Sequence, residues 1–216
     1  MAFDRILSRG CAAALALSAA LLLGACGEAL ACQGKGSPAL DDTFKPPDPG
    51  WGAPDSAAVF TADGLVLKPP VNGSAWRWNQ NYTIDGNDLC VTIVNPSQLP
   101  GRPDAGDVGV WFWAKDAQNF YTATLSLDGS VSIDRLVNGV WQVVMAPTNS
   151  TAVKTKPGAE NEVEIVVRGN TGTFYVNGTK IGDFRGQPPA RGGPPGVYAE
   201  SGATAISWVF TRVQLF

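Results

Sequence analysis

Two pairs of tryptophans in the chain have the spacing that would place both rings of a pair on one face of a β-strand. Trp76 and Trp78 form one pair, and Trp111 and Trp113 form the other. Successive side chains on a strand point to opposite faces, so residues two apart share a face. An exposed indole can stack on the apolar C–H face of a sugar ring, whereas a buried one fills a core. The residues that alternate with the tryptophans on each strand indicate which of these two roles each pair has.

The two strands differ in the residues that alternate with the tryptophans. Around Trp111 and Trp113 the alternating positions read V, V, F and A, an unbroken apolar face that fits the interior of a sandwich. We therefore predict that Trp111 and Trp113 line a groove on the opposite face of that strand. Around Trp76 and Trp78 the alternating positions are small or polar. We predict that this second pair lies in the core.

Polar and aromatic residues close to Trp111 and Trp113 complete the predicted groove. These candidates are Asp116, Asn119, Phe120, Thr122 and Arg135. The loop of residues 96–107, PSQLPGRPDAGD, is long enough either to cover the two indoles or to act as the lid of a site. Trp141 and Trp208 are assigned to packing.

Histidine is absent from the 216 residues, which removes the commonest general base near neutral pH and the commonest zinc ligand. This excludes Ser-His-Asp triads and His-ligated metal sites. The formal net charge of −3 provides no basic field for a phosphate backbone, so nucleic acid is not an expected partner. No metal site and no cofactor are predicted from the residues.

Residues 1–25 have the features of an export signal, because two arginines precede an apolar run that is too short for a comfortable transmembrane helix. The sequence LGAC at residues 23–26 resembles a bacterial lipobox, in which Cys26 is acylated and becomes the mature N-terminus. A small-x-small site ending at Ala31 is the rival cleavage position. We favour the lipobox because Cys26 directly follows the apolar run.

A diacylated Cys26 would anchor the protein in the cell envelope. Residue 27 is glycine and not aspartate, which favours the periplasmic side of the outer membrane; cleavage after Ala31 would instead give a periplasmic or secreted protein. Residues 26–43 are small and polar and are predicted to be a tether, with the folded domain spanning 44–216. In an oxidising compartment Cys32 and Cys90 are candidates for a disulfide, and the alternative is a buried Cys90 with a free Cys32.

The rest of the chain consists of short β-branched and aromatic runs at roughly 8–12-residue spacing, separated by turn residues, which is typical of an all-β sandwich or barrel. Asp128-Gly129, Asn138-Gly139 and Asn177-Gly178 are hairpin turn signals, since these dipeptides supply positive φ values. We predict an all-β, antiparallel β-sandwich.

The runs NFYTATLSLDGSVSIDRLVNGVW, EVEIVVRGNTGTFYVNGTKIGDF and GGPPGVYAESG resemble, in that order, the concanavalin A-like lectin/glucanase jelly roll. More narrowly they look like bacterial laminin-G-like domains and the domain named for 3-keto-disaccharide hydrolases. The resemblance covers about residues 40–216 and implies a glycan bound on the concave sheet. Relatives often bind calcium with loop carboxylates, so the resemblance allows a structural calcium ion, although no D-x-D-x-D loop occurs.

The resemblance does not bring a catalytic motif with it. Glucanases of the superfamily carry a strand of the form E-x-D-x-E or E-x-D-x-x-E, and Glu160–Glu164 comes nearest but lacks the central Asp. That segment is predicted to be a solvated strand face of the convex sheet. The expected function is therefore a carbohydrate-binding module, and no catalytic residue is named.

Two alternatives to a binding module stay open. One is a glycoside hydrolase or lyase that uses carboxylates such as Asp116, Asp134 or Glu200, whose signature would be two carboxylates facing one cleft. The other is an envelope protein-interaction module, for which an exposed apolar patch without a groove is expected.

Overall fold

The computed structural model describes residue 32 and residues 36–97 and 106–216. The predicted export signal, Cys26, the rival site at Ala31 and most of the loop 96–107 lie outside the described residues. Within the described ranges the chain forms fourteen β-strands and one 3₁₀ turn, Pro49–Trp51. None of the described helices is long and apolar enough to cross a membrane.

The strands follow one another along the chain with short connections. Their bounds are β1 Leu40–Asp42, β2 Ala58–Thr61, β3 Gly64–Leu67, β4 Gly73–Trp78, β5 Asp88–Val94, β6 Asp107–Asp116, β7 Asn119–Ser126, β8 Ser130–Val137, β9 Val140–Asn149, β10 Glu160–Arg168, β11 Thr171–Val176, β12 Thr179–Arg185, β13 Gly196–Ser201 and β14 Trp208–Leu215.

These strands form two antiparallel sheets packed face to face. The eight-stranded sheet has the order β12-β11-β10-β5-β14-β3-β2, with β1 also paired to β14. The six-stranded sheet has the order β4-β13-β6-β7-β8-β9. The predicted all-β antiparallel sandwich is confirmed, and the crossovers between distant strands show why hairpin signals alone do not give this topology.

The core lies between the two sheets and is built from alternating apolar residues. Leu89, Val91 and Ile93 of β5 and Val108 and Val110 of β6 are completely buried there. Trp208 is also fully buried, which confirms its predicted packing role. A side chain that alternates with these residues lies on the outer face of its sheet.

The sandwich begins earlier than the sequence indicated. Leu40, inside the predicted tether, is buried and pairs with Leu215 of β14. The Asp42 carboxylate then accepts hydrogen bonds from the backbone N–H of Asp48 (2.7 Å) and the indole N–H of Trp51 (2.8 Å). The boundary at residue 44 was therefore wrong, because a three-residue strand among small and polar residues has no distinctive pattern.

The outer face of the eight-stranded sheet is covered where β5 meets β10. The structure joins Cys32 to Cys90 in a disulfide, with their Cα atoms 6.0 Å apart. Glu164 pairs in register with Cys90, and both Glu162 and Glu164 are buried. The predicted solvated carboxylate face was wrong for these two residues, because the outer face is closed beside the disulfide-bonded Cys90, which is itself buried.

Candidate functional site

An aromatic cluster occupies the outer face of the six-stranded sheet. Trp111 of β6 lies at its centre, with its ring centroid 5.6 Å from that of Trp76, 5.2 Å from that of Trp78 and 3.7 Å from that of Phe120. All three of these contacts are stacked or tilted. Leu136 packs at the margin of the cluster. Ring stacking thus links β4, β6 and β7 on this face.

The two tryptophan pairs do not take the places that alternation predicted. Trp111 lies on the outer face as predicted, but it is completely buried beneath the surrounding rings. Trp76 and Trp78, predicted to be core, lie half-buried on the same outer face. The core side of β4 is instead supplied by Ala75, so a small residue and not the indoles faces the interior.

Trp113 lies in the core of the sandwich, so its predicted place in the groove was wrong. The pairing of β6 with β7 shifts register between Phe112 and Asp116, and Trp113 has a φ of 46°. A bulge of this kind turns a side chain to the other face of a strand. Trp113 consequently packs against Tyr121 and Phe184, with centroid distances of 5.3 and 5.5 Å.

Four of the seven predicted groove residues, Trp113, Asn119, Phe120 and Arg135, line one small cleft at the end of β6, β7 and β8. Asp116 is exposed in the β6–β7 turn, where its carboxylate accepts hydrogen bonds from the Gln118 backbone N–H and the Asn119 side-chain amide, each 2.8 Å long. Arg135 lies with its guanidinium carbon 5.2 Å from the centroid of the Tyr121 ring. Phe120 belongs to the aromatic cluster. Of the seven predicted residues, only Thr122 lines the pocket described next.

A pocket of about 220 Å³ opens on the outer face beside the aromatic cluster. We call it the acidic pocket, since three carboxylates line it together with hydroxyl groups and two aromatic rings. Its lining residues are Asp107, Thr122, Thr124, Asp134, Trp141, Tyr198 and Glu200. They come from five strands of the six-stranded sheet. The hydrolase alternative had named Asp134 and Glu200, which are present here, and Asp116, which is not among the lining residues.

The strand register explains how these residues meet. Tyr198, Gly109, Thr124 and Ser132 lie in one row across β13, β6, β7 and β8. Gly109 contributes no side chain to this row, so the floor between Tyr198 and Thr124 stays open. A Cβ atom at this position would lie only 2.0 Å from the carbonyl oxygen of Ala123, so glycine is required for the close approach of β6 and β7.

Hydrogen bonds fix two of the three carboxylates. The Tyr198 hydroxyl donates to the carboxylate of Glu200, and the Ser132 hydroxyl donates to that of Asp134 at 2.8 Å. Burial raises the pKa of Tyr198, and the negative charge of Glu200 raises it further. The phenol therefore stays protonated and keeps donating its hydrogen bond.

Burial also changes the acidity of two pocket carboxyls. It raises the pKa of Asp107 to about 6, and the negative charge of Glu200 adds to this effect. Burial also raises the pKa of Asp134, and the hydrogen bond from Ser132, which lowers that pKa, only partly opposes this effect. A carboxyl that titrates near pH 6 can donate a hydrogen bond when protonated and accept one when ionised.

Trp141 forms an aromatic wall of the acidic pocket. It was assigned to packing, and it does contact Phe120 and Tyr198, with centroid distances of 5.5 and 6.2 Å. Its side chain is nevertheless 46% exposed, the largest exposure of any tryptophan in the described residues. It lies on β9, the edge strand of the sheet, so no further strand covers it.

Sequence reasoning missed Asp107, Trp141 and Tyr198 as site residues. The sequence did contain a pattern that points to Asp107. Residues two apart on a strand share a face, so residues 107 and 109 lie on the same face as Trp111. Among the described residues no group of three or more His, Cys, Asp or Glu side chains has the arrangement of a metal site. A structural calcium ion, which the family resemblance permits, stays a prediction.

No protein-family model and no curated protein sequence matches the chain. Solved structures do match its backbone. The carbohydrate-binding module CBM66 from Bacillus subtilis aligns with a TM-score of 0.55 and 17% identity, covering 74% of this chain and 90% of that one. The β-glucanase of Bacillus licheniformis aligns with a TM-score of 0.59 and 13% identity, covering 84% and 99%.

The chain folds as a concanavalin A-like jelly roll. A third structure, described as a native glycosidic hydrolase, agrees with this at a TM-score of 0.58 and 12% identity, over 82% of this chain and 94% of that one. At such identities the likeness shows the fold alone, and this jelly roll carries both binding modules and hydrolases. The chemistry therefore has to be argued from the acidic pocket.

Proposed function

We propose that this jelly roll is a carbohydrate-binding module whose sugar ligand occupies the acidic pocket and stacks on Trp141. The observation that carries the proposal is an exposed indole beside a pocket of carboxylates and hydroxyls, on a sheet face whose other aromatic rings are packed together. A sugar ring has an apolar C–H face and a rim of hydroxyls, and this arrangement complements both.

The polar groups of the pocket suit a ligand rich in hydroxyls. The carboxyl oxygens of Asp134 and Glu200 can accept hydrogen bonds from sugar hydroxyls, and hydrogen bonds to a charged carboxylate are stronger than neutral ones. Thr122 can both donate and accept. Because Ser132 and Tyr198 already hold the two carboxylates in place, less side-chain entropy is lost when a ligand binds.

The structural neighbours support this proposal at the level of fold. One of them is named as a carbohydrate-binding module and another as a β-glucanase. We extend the proposal to the location predicted from the sequence: export, a lipid anchor at Cys26 and a cell-envelope glycan as the ligand. The anchor would hold the domain close to such a glycan.

Glycoside hydrolysis is a second candidate, and one observation favours it. Asp107 and Glu200 line the same pocket, and burial together with the charge of Glu200 keeps Asp107 protonated up to about pH 6. A protonated carboxyl beside an ionised one is the pairing that glycosidases use as acid and as base or nucleophile.

The test is isothermal titration calorimetry of the purified protein against a panel of neutral and acidic polysaccharides and envelope glycans. We expect at least one saturable ligand, and we expect Trp141→Ala to bind it about tenfold more weakly, which corresponds to about 1.4 kcal/mol for a lost aromatic contact. Val140→Ala is the matched control, because Val140 is the preceding residue on β9 and is 63% exposed. Its affinity should not change.

Undiminished binding by a folded Trp141→Ala protein, or no binding to any glycan of the panel, would refute the proposed site. The same mixtures are assayed for new reducing ends. Reducing ends released by the wild-type protein but by neither Asp107→Asn nor Glu200→Gln would show that the pocket is hydrolytic.

A further inference from the structure

A second cleft, of about 140 Å³, lies at the end of β6, β7 and β8 near residues 187–189. Lys115 and Arg135 line it, and no carboxylate is among its lining residues. We call it the basic cleft. In a chain with a net charge of −3, two cations at one cleft without a carboxylate form a local reversal of charge.

Neither cation forms an ion pair within the described part of the protein. Ion pairs in residues 36–97 and 106–216 involve other side chains, and Lys115 and Arg135 form none of them. The Asp116 carboxylate is held by hydrogen bonds within the β6–β7 turn; the hydrogen bond from Asn119 and, to a smaller extent, the charge of Lys115 lower its pKa, so Asp116 offsets part of the charge of Lys115. Both cations are therefore available to an anion from outside.

Arg135 is held in place by aromatic packing. Its guanidinium lies 5.2 Å from the centroid of the Tyr121 ring, and the Tyr121 hydroxyl accepts a hydrogen bond of 2.9 Å from the backbone N–H of Gln187. This arrangement fixes the ring on which the guanidinium rests. A guanidinium held on a ring still offers its planar edge, which matches both oxygens of a carboxylate.

The basic cleft lies at the end of β7 and β8, where it meets the aromatic cluster of the outer face; Arg135 itself lies on the inner face, in register with the buried Tyr121. Phe120 and Leu136 line the cleft and also belong to the aromatic cluster. Leu136 pairs in register with Trp141, the exposed wall of the acidic pocket. Two residues along their strands from Phe120 and Leu136 lie Thr122 and Asp134 of the acidic pocket, a spacing of about 7 Å.

We propose that the basic cleft binds the carboxylate of a uronic acid residue in a glycan that runs from the acidic pocket over the end of β7 and β8. The inference rests on the proposed function and narrows its ligand class to acidic glycans. Lys115 supplies a mobile positive charge at the entrance, and Arg135 supplies the fixed two-pronged contact. The attraction falls as salt is added, because Lys115 is exposed.

The experiment measures binding of the purified protein to alginate, polygalacturonate and hyaluronan, each compared with its carboxyl-reduced form. Carboxyl reduction removes the charge and keeps the glycan backbone. We expect at least one acidic polymer to bind about tenfold more tightly than its reduced form, the size typical of one charge-assisted contact. Sodium chloride at 0.5 M should weaken that preference.

Two variants test whether the preference for acidic polymers arises at the basic cleft. Lys115→Gln and the double variant Lys115→Gln, Arg135→Gln should lose the preference in two steps, while their affinity for the reduced polymer stays unchanged. Lys68→Gln is the matched control, because Lys68 is exposed and lies outside the clefts described above. Lys115 is exposed near the end of β6, so its single variant reports on binding even where the double variant is less stable.

The outcomes separate this inference from the proposed function. Binding of reduced and acidic polymers with equal affinity would overturn the basic cleft and leave the sugar site standing. If the double variant still prefers acidic polymers, the proposed role of the basic cleft is also wrong. If none of the six polymers binds, the inference is refuted for uronic acids, and a neutral ligand found in the wider glycan panel would still support the proposed function.

Discussion

Replacing Asp107 with asparagine tests whether the acidic pocket really contains a buried carboxyl with altered acidity. Asparagine has nearly the same shape and cannot ionise. Burial and the charge of Glu200 raise the pKa of Asp107 from 3.8 to about 6 in the folded protein. The folded state therefore binds the proton more tightly than the unfolded state does.

The sign and size of the effect follow from linkage. Because the folded-state pKa is the higher one, the contribution of Asp107 to stability is fully present below pH 3.8 and is lost as the pH rises through about 6. A pKa raised from 3.8 to about 6 on folding corresponds to about 3 kcal/mol of stability. The Asp107→Asn protein has no such loss.

The assay is urea denaturation of both proteins at intervals from pH 4 to pH 8. The stability of Asp107→Asn relative to wild type should rise by about 2 kcal/mol across this range, with most of the change between pH 4 and 6, because part of the full effect is already lost at pH 4. Carboxylates with lowered pKa values, such as Asp41 and Asp55, stabilise both proteins as the pH rises, so their contributions cancel in the difference.

Glu200→Gln provides the control for the cause of the shift. Removing its negative charge should lower the pKa of Asp107, so the pH-dependent loss of stability should be smaller and end at a lower pH. A difference between wild type and Asp107→Asn that stays constant from pH 4 to pH 8 would refute the reasoning. Asp107 would then be as well solvated as an ordinary surface carboxylate.

Two further predictions concern packing and the disulfide. Trp113→Ala should lower the free energy of unfolding by about 3–5 kcal/mol, as expected for a buried aromatic, and a cost below 1 kcal/mol in urea denaturation would contradict its place in the core. Replacing Cys32 and Cys90 with serine should cost about 2–4 kcal/mol, because the disulfide closes a loop across a sequence separation of 58. Wild-type protein treated with a reductant should lose the same amount, and equal melting temperatures with and without reductant would contradict it.

Local signals predicted the elements of this fold well. Asn138 and Gly139 both have positive φ values, 49° and 77°, and they connect β8 to β9 as their sequence indicated. Asn177 and Gly178, with φ values of 48° and 77°, connect β11 to β12 in the same way. A tight hairpin turn depends only on the conformations its own residues tolerate, so it can be read locally.

The faces of individual strands were harder to predict. Alternation placed Trp111 and Trp113 together, but the bulge after Phe112 sends the second indole into the core. One extra residue in a strand reverses every inside–outside assignment beyond it. A bulge is set by how β6 pairs with β7, and the sequence of β6 alone does not show it.

The sequence by itself determined an all-β fold without histidine chemistry, because composition and strand period depend on neighbouring residues only. The tertiary structure decided where a ligand can bind. Asp107, Asp134 and Glu200 are far apart in the chain and meet because β13, β6, β7 and β8 lie side by side. Trp141 is exposed because β9 is the last strand of its sheet. Both facts depend on strand order, which arises from long-range pairing that short-range patterns do not encode.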